Sequence, residues 1–206
     1  MPPQPERTKW VESDVGGMAA ALDDTELMIR VKEGHEPSFT LLLEKHRSPV
    51  VHFLYRMVQN KAIAEELAQE AFLRVYRSRS TYEPTAKFTT WLFRIATHLA
   101  LNSLRDGKNE RYQETLESSP EDAPARQVSD TRPTVEAALV KQARLDEVRR
   151  AIAVLPEKQR AAVLLHKYEE MEYAQIAKTL NCSESAVKSL LFRAYETLRA
   201  RLAHLA

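Results

Sequence analysis

Glycine and cysteine are scarce in this sequence, and each scarcity excludes a class of protein. The 206 residues include 4 glycines and 1 cysteine. With so few glycines, neither the dinucleotide-binding spacing nor the P-loop spacing occurs, which excludes the common nucleotide-binding loops. The single cysteine, Cys182, cannot form an internal disulfide. We therefore expect a protein of a reducing compartment.

Long apolar runs and clustered metal ligands are also missing. No run approaches the length of a membrane span, and the N-terminus lacks the pattern of a signal peptide. We therefore expect a soluble, cytoplasmic protein without membrane insertion. The 6 histidines include no pair four residues apart and lie near no pair of cysteines, which argues against zinc. We expect no cofactor, no metal and no catalytic residues, so the chain is not predicted to be an enzyme.

The residues that are abundant predict an all-α protein. Alanine, leucine, glutamate and arginine are frequent, and no segment alternates apolar and polar residues with the period of a strand. Two breaks in composition divide the chain. A polar, proline-containing tail, in which Met18 is a second candidate start, covers residues 1–21, and an acidic segment rich in proline and serine covers 112–133. We expect two small helical domains, 22–111 and 134–206, joined by a flexible linker.

The stretch from Glu172 to Arg201 has the pattern of a helix-turn-helix. Asn181 tolerates the left-handed conformation that a tight turn needs, and Ser183 is a good N-cap for the second helix. Upstream, Pro156 suits the first position of a preceding helix. An ordinary helical hairpin is the alternative. The outer face of the second helix carries hydroxyls, charges and one aromatic ring, a mixture that suits base edges and phosphates in a major groove: Ser183, Glu184, Ser185, Lys188, Ser189, Phe192 and Arg193.

A second candidate surface lies between Phe88 and Arg105, where aromatic residues, cations and short polar side chains interleave. Opened or single-stranded nucleic acid suits such a surface, because bases stack on rings while cations contact phosphates. The alternative is that Trp91 and Phe93 are simply core residues. The hydrogen-bonding and charged candidates beside the rings are Lys87, Arg94, His98, Asn102, Arg105 and Lys108.

The helix predicted from Lys61 to about Ser80, with Asn60 as its cap, has one apolar stripe and one charged face. That face carries Glu65, Gln69, Glu70 and Arg74. Composition alone does not distinguish it from an ordinary solvated face.

Three segments together resemble the extracytoplasmic-function sigma factors of bacterial RNA polymerase, a branch of the sigma-70 family. They are AEELAQEAFLRVYRSRSTY (64–82), FTTWLFRIATHLALNSLR (88–105) and LPEKQRAAVLLHKYEEMEYAQIAKTLNCSESAVKSLLFRAYETLRARL (155–202). They occur in the family's order, with a linker where the family has one.

The resemblance implies roles that the residues alone do not. The domain at 22–111 corresponds to sigma region 2, and the domain at 134–206 to region 4. Glu65, Gln69, Glu70 and Arg74 are expected to dock on the clamp helices of the largest subunit of core RNA polymerase.

The resemblance also divides the promoter contacts between the two domains. The surface after Phe88 is expected to melt and hold the minus-ten element of promoter DNA, with Asn102 at the pocket for a flipped base. The helix after Ser183 is expected to read the minus-thirty-five element as duplex, and an anti-sigma factor is an expected partner.

One residue departs from the family pattern. Lys188 stands where many relatives carry arginine, and a lysine lacks the two-pronged geometry that recognises guanine. Two other functions stay open at this stage: a stand-alone helix-turn-helix regulator that binds duplex DNA as a dimer, and an interaction protein that sequesters polymerase.

Overall fold

The computed structural model describes the backbone of residues 22–114 and 135–205. Side chains are described for 22–107 and 142–205. The expected tail at 1–21, nearly all of the expected linker, and the Lys108 side chain lie outside these ranges. Within them every regular element is a helix, which confirms the all-α prediction. The helices are α1 Asp24–Lys32, α2 Glu36–Val58, α3 Lys61–Arg77, α4 Phe88–Glu114, α5 Val135–Ala153, α6 Glu157–Lys167, α7 Tyr173–Leu180 and α8 Glu184–Leu202. Short 3-10 turns lie at Arg79–Thr81 and Ala203–Leu205.

The first four helices pack around a core of large apolar side chains. Phe53 on α2 meets Phe93 on α4 edge to face, with ring centroids 5.3 Å apart. The helix α3 contributes a stripe of small residues and Phe72, so it lies close to its neighbours. Asn60 begins α3 as expected, because its side-chain oxygen accepts a hydrogen bond from the Ile63 amide at 3.1 Å.

The helix-turn-helix prediction is confirmed in its local geometry. Asn181 adopts the left-handed conformation (φ 50°, ψ 57°) and ends α7. Ser183 caps α8, since its hydroxyl oxygen accepts a hydrogen bond from the Ala186 amide at 3.1 Å. Ile176 and Val187 are fully buried where the two helices meet. An isolated hairpin would not bury this side, so the unit is part of a packed domain.

Three predicted boundaries differ from the structure. Pro156 precedes α6 as its N-cap rather than occupying its first position. The helix α3 ends at Arg77, where a 3-10 turn replaces the last turn that the sequence predicted up to Ser80. Finally, α4 continues to Glu114, past the predicted domain end at residue 111. The helical pattern fades at helix ends, so local periodicity does not fix the final turn.

The two helical regions pack against each other. Helix α7 lies on α4, α6 contacts both α2 and α4, and α5 reaches α2. The buried apolar residues of both regions form one continuous cluster. The sequence predicted two domains and a linker, and it gave no indication that the two domains share an interface.

Candidate nucleic-acid interface

The outer face of α8 is open to solvent. All seven side chains predicted to contact duplex DNA are exposed: Ser183, Glu184, Ser185, Lys188, Ser189, Phe192 and Arg193. Phe192 is 67% exposed, an unusual position for a large aromatic ring. The helix therefore presents two cations, one carboxylate, a ring and three hydroxyls on one surface.

The hydroxyls on this face are held in defined positions. Ser183 uses its oxygen to accept the capping hydrogen bond, which leaves its own O–H able to donate to a phosphate. Ser189 donates to the Ser185 carbonyl at 3.1 Å, so its oxygen stays available as an acceptor. Phosphate binding at the start of α8 is favoured further by the unpaired amides of the first helical turn.

The candidate surface on α4 is less uniform. Lys87, Arg94, Asn102 and Arg105 are exposed, as a surface that contacts nucleic acid requires. Trp91 is half-buried, and its ring lies 5.0 Å from the ring of Tyr82, centroid to centroid.

Phe93 is a core residue, since it is 1% exposed, whereas Trp91 is only half-buried. His98 is half-buried and hydrogen-bonded. Its Nε2 donates to the carbonyl oxygen of Thr179, on α7, at 2.8 Å.

The charged face of α3 is confirmed as a surface. Glu65, Gln69 and Arg74 are exposed, and Glu70 is half-buried. Arg74 Nε donates to Glu70 Oε1 at 2.7 Å, so these two side chains form an ion pair on successive turns. Leu73 lies in the same row as Glu65 and Gln69 and is 48% exposed. Sequence reasoning missed Leu73, although its position one turn after Gln69 was a usable signal.

A cleft of about 640 Å³ separates part of α4 from α7. Its wall includes the cations Arg74, Arg94 and Lys178, and the rings of Tyr82 and Trp91. The cleft brings together residues of the two predicted domains. Two of its residues, Lys178 and Thr179, were not predicted for any site, because only the packing of α7 on α4 brings them there.

Two charged groups, one buried and one half-buried, lie where the regions meet. The Arg160 guanidinium, 9% exposed, donates to the carbonyl oxygens of Met57 on α2, Ala153 and Leu155. Burial lowers the pKa of Arg160, and the nearby charge of Glu157 partly opposes that effect.

The second group is Glu169. Burial raises the pKa of Glu169 to about 7, against the opposing charge of Arg56 on α2. The Arg56 guanidinium lies over the ring of Tyr168, 4.1 Å from its centroid. The charge of Arg56 therefore acts on a half-buried carboxyl group of the other region.

Two kinds of site are missing from the described part of the chain. None of its helices is long and apolar enough to cross a bilayer. Its histidine, cysteine and acidic side chains form no cluster that would hold a metal ion.

Comparison with known proteins identifies the family of each helical region. The Sigma-70 region 2 family model matches residues 42–110, and the Sigma-70, region 4 model matches 145–198. The ECF RNA polymerase sigma factor SigW of Bacillus subtilis is 30% identical over 183 residues, which span 86% of this chain and 98% of SigW. The chain belongs to the extracytoplasmic-function sigma factors. It is a promoter-specific transcription initiation factor of the sigma-70 family.

Other relatives agree with this assignment. The sigma factor CarQ of Myxococcus xanthus is 34% identical over 178 residues, which cover 86% of this sigma factor and 97% of CarQ. The structure of CnrH in complex with the cytosolic domain of CnrY has a TM-score of 0.63 at 19% identity, covering 89% and 99% of the two chains. RpoE from Bartonella quintana, solved with the anti-sigma factor NepR, has a TM-score of 0.63 at 18% identity, covering 80% and 96%. At these identities the solved structures support the fold.

Proposed function

We propose that this sigma factor binds core RNA polymerase in the cytoplasm and directs it to promoters through two DNA-binding surfaces. Helix α8 reads the minus-thirty-five element as duplex, and the face of α4 opens the minus-ten element and holds one strand. The observation that carries this proposal is the exposure of the entire predicted α8 face on a helix-turn-helix within the segment that matches sigma region 4. No catalytic step is assigned to the chain itself.

On α8, base recognition and phosphate binding use different side chains. Arg193 is suited to the two acceptors of a guanine edge, and Phe192 to the methyl group of thymine. Lys188 supplies a point charge for a phosphate or a single acceptor, since it lacks the planar fork of arginine. Ser183 and the amides of the first helical turn place the helix on the phosphate backbone. A good base contact contributes roughly 1–3 kcal/mol of discrimination.

On α4, Trp91 and Asn102 are the central residues. The half-buried Trp91 ring is the proposed stacking surface, and base stacking on an aromatic ring is worth roughly 1–3 kcal/mol per base. Asn102 has both a donor and an acceptor for the edge of an unpaired base. Lys87, Arg94 and Arg105 then attract the phosphates of the separated strand. Together these contacts offset the few kcal/mol that unstacking a base costs.

The face of α3 is the proposed dock for the polymerase clamp helices. Glu65, Gln69 and Arg74 provide a polar rim around Leu73, whose exposed side chain provides the apolar centre. Interfaces with this arrangement exclude water from their middle and place charged groups at the edge. We also propose an anti-sigma factor as a regulatory partner, an idea suggested by the similar sigma factor RpoE, which was solved with the anti-sigma factor NepR.

Promoter-dependent transcription with purified core polymerase tests the proposal. We expect specific initiation only when the chain is added, with losses for Arg193→Ala and for Asn102→Ala. Arg149→Ala on α5 is the matched control, because Arg149 is an exposed cation outside both DNA surfaces. Absence of stimulation, together with tight binding of the free chain to a palindromic duplex, would instead support a stand-alone regulator.

A further inference from the structure

The proposed stacking residue Trp91 packs against two buried aromatic rings. The Tyr82 ring lies 5.0 Å from the Trp91 ring, centroid to centroid, at an interplanar angle of 49°. The Phe88 ring lies 6.1 Å away and meets it edge to face. Tyr82 is 4% exposed and Phe88 is 1% exposed, whereas Trp91 is half-buried. Two fixed neighbours of this size restrict the orientation of the indole, because rotating it would cause a collision or open a void.

Tyr82 belongs to a segment that lacks regular structure. It follows the 3-10 turn at Arg79–Thr81, and α4 begins only at Phe88. From the last residue of α1, Lys32 Nζ donates to the Tyr82 carbonyl oxygen at 2.9 Å. The two residues are 50 positions apart in the sequence. This hydrogen bond fixes the Tyr82 backbone, and with it the ring, at a point where no helix does so.

The start of α1 reaches the other ring. Asp24 Oδ2 accepts a hydrogen bond from His46 Nε2, on α2, at 2.9 Å. The His46 ring lies 5.5 Å from the Phe88 ring, centroid to centroid. The two ends of α1 therefore each support one neighbour of Trp91. One does so through the His46 side chain, and the other through a direct hydrogen bond to the backbone.

Lys32 contributes little to the attachment of α1 itself. Leu27, Met28 and Val31 are buried and hold α1 against its neighbours. Lys32 is exposed, and fixing its ammonium group costs rotamer entropy that an exposed contact barely offsets. It also lies outside the segment 42–110 that the region 2 family model matches. A stabilising role therefore explains this hydrogen bond poorly.

We propose that Lys32 is a positioning residue for Trp91. Its ammonium group holds Tyr82, and the Tyr82 ring limits the orientation of the indole before a base of the minus-ten strand arrives. The proposal rests on the proposed function of the α4 surface and gives α1 a part in it. Ordering a side chain only on binding weakens an affinity by about two- to tenfold. Loss of the Lys32 hydrogen bond should have an effect of this size.

Fluorescence tests the positioning in the DNA-free chain. The sequence contains 2 tryptophans, Trp10 and Trp91, so Trp10→Phe leaves Trp91 as the single reporter. Time-resolved anisotropy then measures the nanosecond motion of the indole. We expect more fast motion in Lys32→Met than in the parent chain, and recovery in Lys32→Arg, because arginine also donates to a carbonyl oxygen. Arg47→Met, which removes an exposed cation from α2, is the control and should change nothing.

Promoter opening tests the functional consequence. The holoenzyme is assembled from core polymerase and the full chain on the cognate promoter, and permanganate reactivity of the minus-ten thymines measures opening. We expect opening to fall by about two- to tenfold in Lys32→Met, while core binding and the Arg47→Met control stay unchanged. In a Trp91→Ala background, Lys32→Met should have no further effect, because the ring that it orders is gone.

Two results would overturn the proposal. The first is unchanged indole motion in Lys32→Met. The second is additive losses of opening for Lys32→Met and Trp91→Ala, which would indicate that Lys32 contacts DNA directly. Failure of the proposed function is a separate result: Trp91→Ala would then open the promoter as well as the parent chain does. In that case the anisotropy alone still decides whether Lys32 orders the indole.

Discussion

Ser183 combines two roles that substitutions can separate. Its hydroxyl oxygen caps α8 by accepting from the Ala186 amide at 3.1 Å, and its O–H lies on the proposed DNA surface. Ser183→Ala removes both functions. Loss of an N-cap costs typically about 1 kcal/mol. For a chain of this length, that free energy lowers Tm by about 2–4 °C.

Ser183→Asp keeps one role and reverses the other. A carboxylate is as good an N-cap as a serine and interacts favourably with the helix N-terminus. Because the cap is kept, we expect the Tm of Ser183→Asp to lie within about 1 °C of the wild-type value. A loss of about 1 kcal/mol, as expected for Ser183→Ala, would lower Tm by about 2–4 °C. The same carboxylate repels DNA phosphates, so promoter-dependent transcription should fall below that of Ser183→Ala.

Thermal unfolding by circular dichroism and transcription with core polymerase measure the two effects. Ser185→Ala is the control for Tm, because Ser185 is exposed on the same helical turn and its side chain caps nothing. If Ser183→Ala left Tm unchanged, the capping argument would be wrong. If Ser183→Asp transcribed as well as the wild type, the start of α8 would not lie against phosphates.

Three further predictions concern Phe192, Leu73 and Glu169. Phe192→Ala should leave Tm unchanged, because the ring is 67% exposed, and should reduce transcription at the cognate promoter by at least about fivefold, as measured by runoff assay. Leu73→Lys should weaken core polymerase binding in a pull-down titration without changing Tm, whereas Ile63→Lys, at an exposed residue near the start of the same helix, serves as the comparison. For Glu169, the folded-state pKa of about 7 lies above its usual 4.5, so its ionisation opposes folding, and wild-type stability should fall as pH rises from 4.5 to 7. Glu169→Gln should flatten that part of the urea-unfolding profile and gain stability relative to wild type above pH 7.

The local elements of this fold are predictable because their causes are local. Asn60, Asn181 and Ser183 each act on residues within one helical turn, so their roles follow from sequence spacing. The exposed face of α8 follows equally well, since Val187 and Leu191 fix which side is buried. Helix ends are less predictable, as α3 and α4 illustrate, because terminal turns depend on tertiary neighbours.

The interface between the two regions has no such local cause. His98 and Thr179 are separated by 81 positions in the chain, and Arg160 and Met57 by 103. Arg160 appears in the sequence as one more charged residue on an amphipathic helix, yet it is buried. The residues next to Arg160 in the sequence do not indicate this burial. The hydrogen-bond acceptors that stabilise the buried guanidinium are backbone carbonyls of α2, of the end of α5 and of the α5–α6 connection.

The two proposed DNA surfaces differ in how much sequence information each can read. An exposed helix that binds duplex DNA has a low affinity by itself, because α8 alone makes few contacts. A single-strand surface that is always exposed would compete for any unpaired strand, because stacking is tolerant of sequence. Neither proposed surface is therefore sufficient for promoter choice by itself. In the proposed function, polymerase holds both surfaces at a fixed spacing, so promoter choice depends on a match to both elements.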